Sequence, residues 1–440
     1  MHRLKGIFYV MLWAISIQQL SAQNQKTAKV GLTDLFQLAD ENNRELKILD
    51  NNLKIAETAV KVEKDKLLPS LEASMAFSYN GDGWITDRDF SNGFSAPIPD
   101  FGNNFALEAK QIIYAGGAIK KSVEIAKRTQ DLSQLTKDKV RQNIRFGIAG
   151  YYLEIIKLGN QKQIIEKNIE QTQKMIAQIK AKNNQGVALK NNITRFELQL
   201  QSYTLGLLKI TNTITILNNE LVKMLQLPVG TILELHSEDQ AVAALQTDSG
   251  DSWNALAKQN SPLLKETQLQ TEQAKSIEKL VKSDNVPQIF AFAGDYLNGP
   301  IMIEIPVIDK NFNYWFAGVG IKYNIASLYK TKNKLKVAQL STQNSLENQD
   351  IVKEQLANDV QAAYIRYLET LDVYKTQMKS VDLAQQNYTV VKNRYDNDLV
   401  LITEMLDAEN AKLDAELQAT NAKINILFHY YQLKKLSGTL

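Results

Sequence analysis

Glu404 and Asp407 are the residues of this 440-residue chain whose type and spacing most invite chemistry: two carboxylates three positions apart in Leu401-Ile402-Thr403-Glu404-Met405-Leu406-Asp407-Ala408. On a helix that spacing puts both on one face. There they concentrate negative potential, which favours cations over anions. They are badly placed for glycoside hydrolysis, which needs its two carboxylates across a cleft. Other chemistry is hard to find. The chain has no cysteine, so disulfides, thiolate metal sites and a lipidated cysteine are excluded. His2, His236 and His429 lie far apart and lack metal-ligand spacing. There is no nucleotide-binding loop and no signature of a nucleophilic triad. The chain reads as a non-enzyme without metal or cofactor.

What must position the two acids begins with where the chain goes. Met1, Arg3 and Lys5 precede an apolar stretch from Gly6 to Ile17, and small residues follow at Ser21 and Ala22. That pattern predicts a signal peptide over residues 1–22, with the mature chain starting at Gln23. Beyond it no apolar run approaches the ~20 residues of a spanning helix, so entry into a membrane has to be made by strands. Setting aside Arg3 and Lys5, the 51 basic residues fall to 49 against 48 acidic ones. So even a balance gives no electrostatic reason to expect nucleic acid.

The chain is duplicated. At a shift of 218, Leu38, Ala39, Asn42, Leu46 and Lys47 fall on Leu256, Ala257, Asn260, Leu264 and Lys265, and Pro69 falls on Pro287. At a shift of 212, Val140, Ile144, Tyr152 and Glu197 meet Val352, Leu356, Tyr364 and Glu409. The difference of six residues belongs to the Gly/Asp/Ser/Asn/Pro-rich stretch from Gly81 to Asn104, which reads as a loop. Residues 23–228 form the first copy, 229–252 a linker and 253–440 the second copy. Each copy reads helix, strand, loop, strand, long helix, turn, helix.

From Leu356 to Tyr395 the apolar positions advance in eleven steps over 39 residues, the coiled-coil period. A single helix from Ser327 to Tyr395 would be roughly 100 Å long. Shorter helices from Leu32 to Lys66 and from Leu399 to Gly438 could together run beside it. The strands alternate. Leu71, Ala73, Met75, Phe77 and Tyr79 share one face of Ser70–Asn80, and Phe105, Leu107, Ala109 and Ile113 repeat the pattern, as do Trp315, Val319, Ile321 and Tyr323. Gln288–Leu297 breaks it, with Phe290, Phe292 and Tyr296 on the side expected to be polar and Asp295 on the apolar side. Trp84, Phe90, Phe312 and Tyr314 near the strand tips are expected to form an interfacial girdle. The loop from Gly299 to Asn311 is apolar for an exposed tip, with Ile301, Met302, Ile303 and Ile305.

Such strands suit an outer-membrane barrel wall, but four cannot close one, because about eight is the smallest number seen. Protomers must share the barrel, and three is the economical count. The fold class expected is mixed and mainly α: a long coiled-coil tunnel plus a transmembrane β-barrel of four strands from each of three protomers, twelve in total. A secreted coiled-coil scaffold or periplasmic adaptor without a pore is the alternative reading.

Over nearly the whole mature chain these features resemble the TolC-like outer-membrane efflux family. Gln111-Ile112-Ile113-Tyr114-Ala115-Gly116-Gly117 is similar to the family's strand-to-helix junction, where Gly116 and Gly117 would let the chain swivel. Its counterpart, Tyr323-Asn324-Ile325-Ala326-Ser327-Leu328-Tyr329, has no glycine. The resemblance implies that Glu404 and Asp407 ring the periplasmic mouth, with Asn192 and Arg195 at the matching positions of the first copy. It implies a gate tyrosine at Tyr395, and it places Val400 and Asn192 where the family often has an arginine and an aspartate, so that charged link is missing. It also implies a docking tip at the turns through Gly186 and Asp398. The partners implied are two further copies of the chain, outer-membrane lipid, a periplasmic adaptor and an inner-membrane pump, in tripartite efflux or type I secretion of small molecules or proteins.

Overall fold

The computed structural model describes residues 27–236 and 249–440. The expected signal peptide, His2 and residues 237–248 of the linker lie outside them. In chain order the elements are β1 (Thr27–Val30), α1 (Leu32–Asn42), α2 (Arg44–Asp65), β2 (Ser70–Tyr79), β3 (Gly83–Ile85), β4 (Phe94–Ala96), β5 (Phe101–Tyr114), α3 (Ala118–Asn184) and α4 (Lys190–Met224). The second copy follows with β6 (Ile232–Leu235), α5 (Gly250–Asn260), α6 (Pro262–Ser283), β7 (Gln288–Gly299), β8 (Phe312–Lys322), α7 (Ser327–Asp396) and α8 (Ile402–Leu436). No described helix is long and apolar enough to cross a membrane.

Two expected elements differ. The helix from Leu32 to Lys66 is two helices, broken at Asn43, whose backbone is extended at φ −60°, ψ 128°. Its side-chain oxygen accepts hydrogen bonds from the amides of Glu45 (2.9 Å) and Leu46 (3.3 Å), capping α2. The second copy breaks at the equivalent Ser261, which precedes Pro262; proline disfavours helical geometry in the residue before it and starts a helix well itself. The stretch from Gly81 to Asn104 is also more than a loop. It holds the β3–β4 hairpin, and β5 already begins at Phe101.

The chain forms two compact units. One contains the chain up to Lys47, Val140–Gln259 and Asp359–Leu440. Its β1 and β6 pair in parallel, and its interior is built on Ile148, Tyr152, Leu221, Ile426 and Leu433, all fully buried. The other contains Ile48–Lys139 and Asn260–Asn358. Its four-stranded sheet has the order β2-β5-β7-β8, antiparallel throughout.

This sheet sorts its residues by parity. Cross-strand partners such as Ser70 and Lys110, Lys110 and Phe292, and Phe292 and Gly318 keep even numbers on one face. The odd face carries Leu71, Met75, Phe77, Leu107, Trp315, Val319 and Ile321, all exposed. Every residue of β2 is exposed, and β2 and β8 are edge strands.

The even aromatics of β7 have a steric reason. A Cβ on Gly318 would meet Phe292 Cζ at 2.9 Å, one on Gly320 would meet Phe290 Cζ at 2.6 Å, and one on Gly294 would meet Tyr296 and Phe316 at 2.8 and 2.9 Å. The rings lean into space that only glycine leaves open. Phe312 and Tyr314 belong to this stack, with Tyr296–Tyr314 ring centroids 5.4 Å apart and Phe312–Tyr314 5.3 Å apart. They therefore sit on the even face of the sheet, away from the apolar odd face where an interfacial girdle was expected. Asp295, on the odd face, accepts a hydrogen bond from Asn313 Nδ2 (2.9 Å).

Candidate functional site

Two helix turns in the first unit repeat one another. The α3–α4 turn has Gly186 at φ +78°, and the α7–α8 turn has Asp398 at φ +61°. In each, the residue after the left-handed one donates its amide five positions back, Val187 to the Lys182 carbonyl (3.0 Å) and Leu399 to the Arg394 carbonyl (2.9 Å). This left-handed C-cap satisfies carbonyls that a helix end leaves free, and glycine or aspartate tolerates it best. The second helix of each pair then starts from an extended leucine, Leu189 or Leu401. The turns leave Val187, Leu189, Leu399 and Leu401 exposed.

Behind the turns, Met175, Ile176, Ile179, Phe196, Ile402 and Met405 form a buried cluster. Tyr395 packs against it, and burial pushes its hydroxyl pKa up, helped by Asp398 and Asp396. A cavity of about 300 Å³ between the turns is lined by Lys182, Asn192, Tyr395, Asp398 and Val400 among others. Across it Lys182 Nζ reaches Asp398 Oδ1 at 2.9 Å, an ion pair that joins the two turns. Sequence reasoning missed this pair, because Lys182 falls on neither position of the charged link it looked for.

Glu404 and Asp407 are both exposed on α8, whereas Ile402, Met405 and Ala408 are buried. Neither carboxylate has a hydrogen-bond or ion-pair partner among the described residues. At the matching first-copy positions, Asn192 is half-buried and Arg195 exposed. Of the histidines, His429 Nδ1 contacts Gln432 Oε1 at 3.0 Å, and the His236 carbonyl accepts from the Tyr152 hydroxyl at 2.6 Å.

A third acid on α8 escaped the sequence reading. Glu409 is 4 % exposed, whereas its repeat counterpart Glu197 is exposed and paired with Lys180 at 2.9 Å. Burial raises the Glu409 pKa, while a hydrogen bond from Thr172 Oγ1 (3.0 Å) and the Lys412 charge oppose the rise. The signal was available: 402, 405 and 409 are spaced three and four apart, the buried stripe of a helix.

In the second unit, Gly116 and Gly117 have φ of +60° and +80°, so two successive left-handed residues turn β5 into α3. A Cβ on Gly116 would lie 2.8 Å from Val286 Cβ, whereas one on Gly117 would meet nothing within 4 Å. The counterpart between β8 and α7 has no positive φ; it turns by hydrogen bonds from Ser327 N to Asn324 O (2.9 Å) and Leu328 N to Ile325 O (3.2 Å).

Against known proteins, the family model described as outer membrane efflux protein matches residues 35–225 and 253–439, one match per copy. Comparison with curated proteins finds no match. Among solved structures the chain is similar to the outer-membrane channel OprN, at 12% identity and TM-score 0.79 over 93% of this chain and 90% of that one. It is similar to the outer membrane protein VceC of Vibrio cholerae, at 15% identity and TM-score 0.75 over 92% and 96%. The same holds for the MtrE outer membrane channel of Neisseria gonorrhoeae in its open state, at 17% identity and TM-score 0.71 over 92% and 88%.

Proposed function

The chain belongs to the outer membrane efflux protein family, and from that premise we propose that three copies close one twelve-stranded barrel and form, with their long helices, a passive export duct through the outer membrane and periplasm. The observation that carries this reading is the sheet β2-β5-β7-β8, with an exposed apolar odd face and two unpaired edges. In lipid an open edge leaves backbone groups unpaired, so β8 of one protomer pairs with β2 of the next. A soluble scaffold or adaptor, the alternative, would gain nothing from that apolar face.

At the periplasmic mouth, Glu404 and Asp407 of three chains gather six carboxylates, which favour cations. Tyr395 and the Lys182–Asp398 pair hold the two turns of each protomer together, taking the place of the charged link that Val400 and Asn192 cannot make. An exposed pair of this kind contributes at most about 1 kcal/mol, so a docking partner can open it. The exposed Val187, Leu189, Leu399 and Leu401, presented by the caps at Gly186 and Asp398, form the docking tip for a periplasmic adaptor, through which an inner-membrane pump supplies energy. Gly116 and Gly117 are the swivel from barrel to tunnel. No bond-making step is assigned to the chain.

The test is the mass of the particle extracted in detergent from the outer-membrane fraction, by light scattering with the detergent contribution subtracted. Three protomer masses are expected. A monomer or dimer in the soluble periplasmic fraction would overturn the duct and favour the scaffold.

A further inference from the structure

On the barrel reading, the even face of the sheet lines the duct, and there acids meet aromatic rings. Glu72 on β2 stands directly opposite Glu108 on β5. Like charges in directly opposed positions weaken a strand pair. Glu108 accepts a hydrogen bond from the Tyr296 hydroxyl. The Glu72 carboxylate has no hydrogen-bond or ion-pair partner among the described residues. The nearest cation on this face, Lys110, forms no ion pair with either acid; its ammonium lies 4.7 Å from the centroid of the Phe290 ring. Two carboxylates and one ammonium leave an excess of one negative charge.

Beside the acids the wall turns aromatic. Phe292 lies against Gly318, and Tyr296 and Phe316 lie against Gly294, with the Tyr296 and Phe316 centroids 5.6 Å apart. Glu72, Glu108, Lys110, Phe292, Tyr296 and Phe316 line an open cavity of about 200 Å³. Strands β2 and β5 supply the charge, and β7 and β8 supply the rings.

We propose that this cavity is a lumenal binding site for an organic cation with an aromatic or apolar body. A cation there relieves the repulsion between Glu72 and Glu108, and its apolar part is covered by rings whose faces attract positive charge. A small inorganic cation would keep its water and gain nothing from the rings. Each protomer contributes one such site, so three surround the duct. Binding has to be weak enough for release, as the open, solvent-facing cavity provides. The proposal rests on the duct reading for the direction this face points, not for the existence of the site.

Equilibrium dialysis of tetraphenylphosphonium against the detergent-solubilised full chain tests the site itself. Saturable binding is expected, weakened about tenfold by Glu72→Gln and by Phe292→Leu with Phe316→Leu, each removing one interaction of the cation-ring or charge kind. Binding absent from the unaltered protein, or unmoved by both the Glu72 and the ring substitutions, overturns the proposal. Equal competition by magnesium and by tetraphenylphosphonium at the same charge concentration also overturns it, reducing the acids to a plain ion site. Planar-bilayer conductance separates the two failures: a conducting channel that does not bind the probe keeps the duct and loses the site, and a non-conducting protein that binds it does the reverse.

Discussion

Thr172 has one hydroxyl proton and two acceptors, the Asn168 carbonyl at 2.8 Å and Glu409 Oε1 at 3.0 Å. Burial raises the Glu409 pKa, opposed by this hydrogen bond from Thr172 and by the Lys412 charge. A carboxyl raised in the folded state contributes stability that is fully present below the ordinary carboxyl range and lost as pH rises through its folded value. Glu409→Gln is therefore expected to raise the thermal midpoint of the solubilised protein at pH 8 and to leave it unchanged at pH 4. A lower midpoint at pH 8 would show that the charged form is favoured instead. Glu404 and Asp407 behave as exposed, unpaired acids, and Glu404→Gln with Asp407→Asn is expected to shift the reversal potential under a salt gradient towards zero cation preference; an unmoved potential removes them as the filter. Those two were legible because spacing alone put them on one face. Glu409 was passed over although its spacing from Ile402 and Met405 marks the buried stripe, and its repeat counterpart Glu197, an exposed residue, gives no hint of burial.

Turns and junctions show the same limit at the next scale. The span of α7 could be read from an unbroken apolar period, and Ser327–Asp396 agrees with that period to within one residue. The break at Asn43 could not, because a side-chain cap inside an otherwise periodic segment leaves no gap in the pattern; at its counterpart Pro262 was a signal that the sequence reading did not use. The glycine pair after β5 was legible, but its asymmetry was not. Both residues are left-handed, which costs a side chain about 1–2 kcal/mol, yet only Gly116 also faces Val286. Gly116→Ala is expected to lower the thermal midpoint and the yield of assembled protein clearly more than Gly117→Ala. Equal effects would show that backbone strain alone governs the junction.

For the whole molecule, the proposed barrel makes parity on the sheet decide what meets lipid. Met75 and Ser74 are neighbours in the middle of β2, both exposed, on opposite faces. Met75→Arg places a charge on the apolar face, at about 2–4 kcal/mol near the bilayer midplane, and Ser74→Arg places it in the duct. Loss of membrane insertion with Met75→Arg and near-normal assembly with Ser74→Arg is expected; the opposite ranking would turn the barrel inside out. The odd face was readable in three of the four strands from alternation. In β7 it was not, because the rule that polar residues face water holds only where no glycine opposite makes room for a ring, as Gly318 and Gly320 do.

The edges of that sheet are different strands, β2 on one side and β8 on the other. In the proposed trimer the contact between copies would be head-to-tail, a kind of interface that makes a ring only when each added copy turns by the right fraction of a circle, and otherwise runs on without end. Backbone hydrogen bonds do not count to three. On that proposal the count has to come from the curvature of the wall, and Gly294, Gly318 and Gly320, which lie under aromatic rings, are expected to help set it. Stoichiometry would then be a property of bend, so an altered wall would miscount its neighbours before it ceased to bind them.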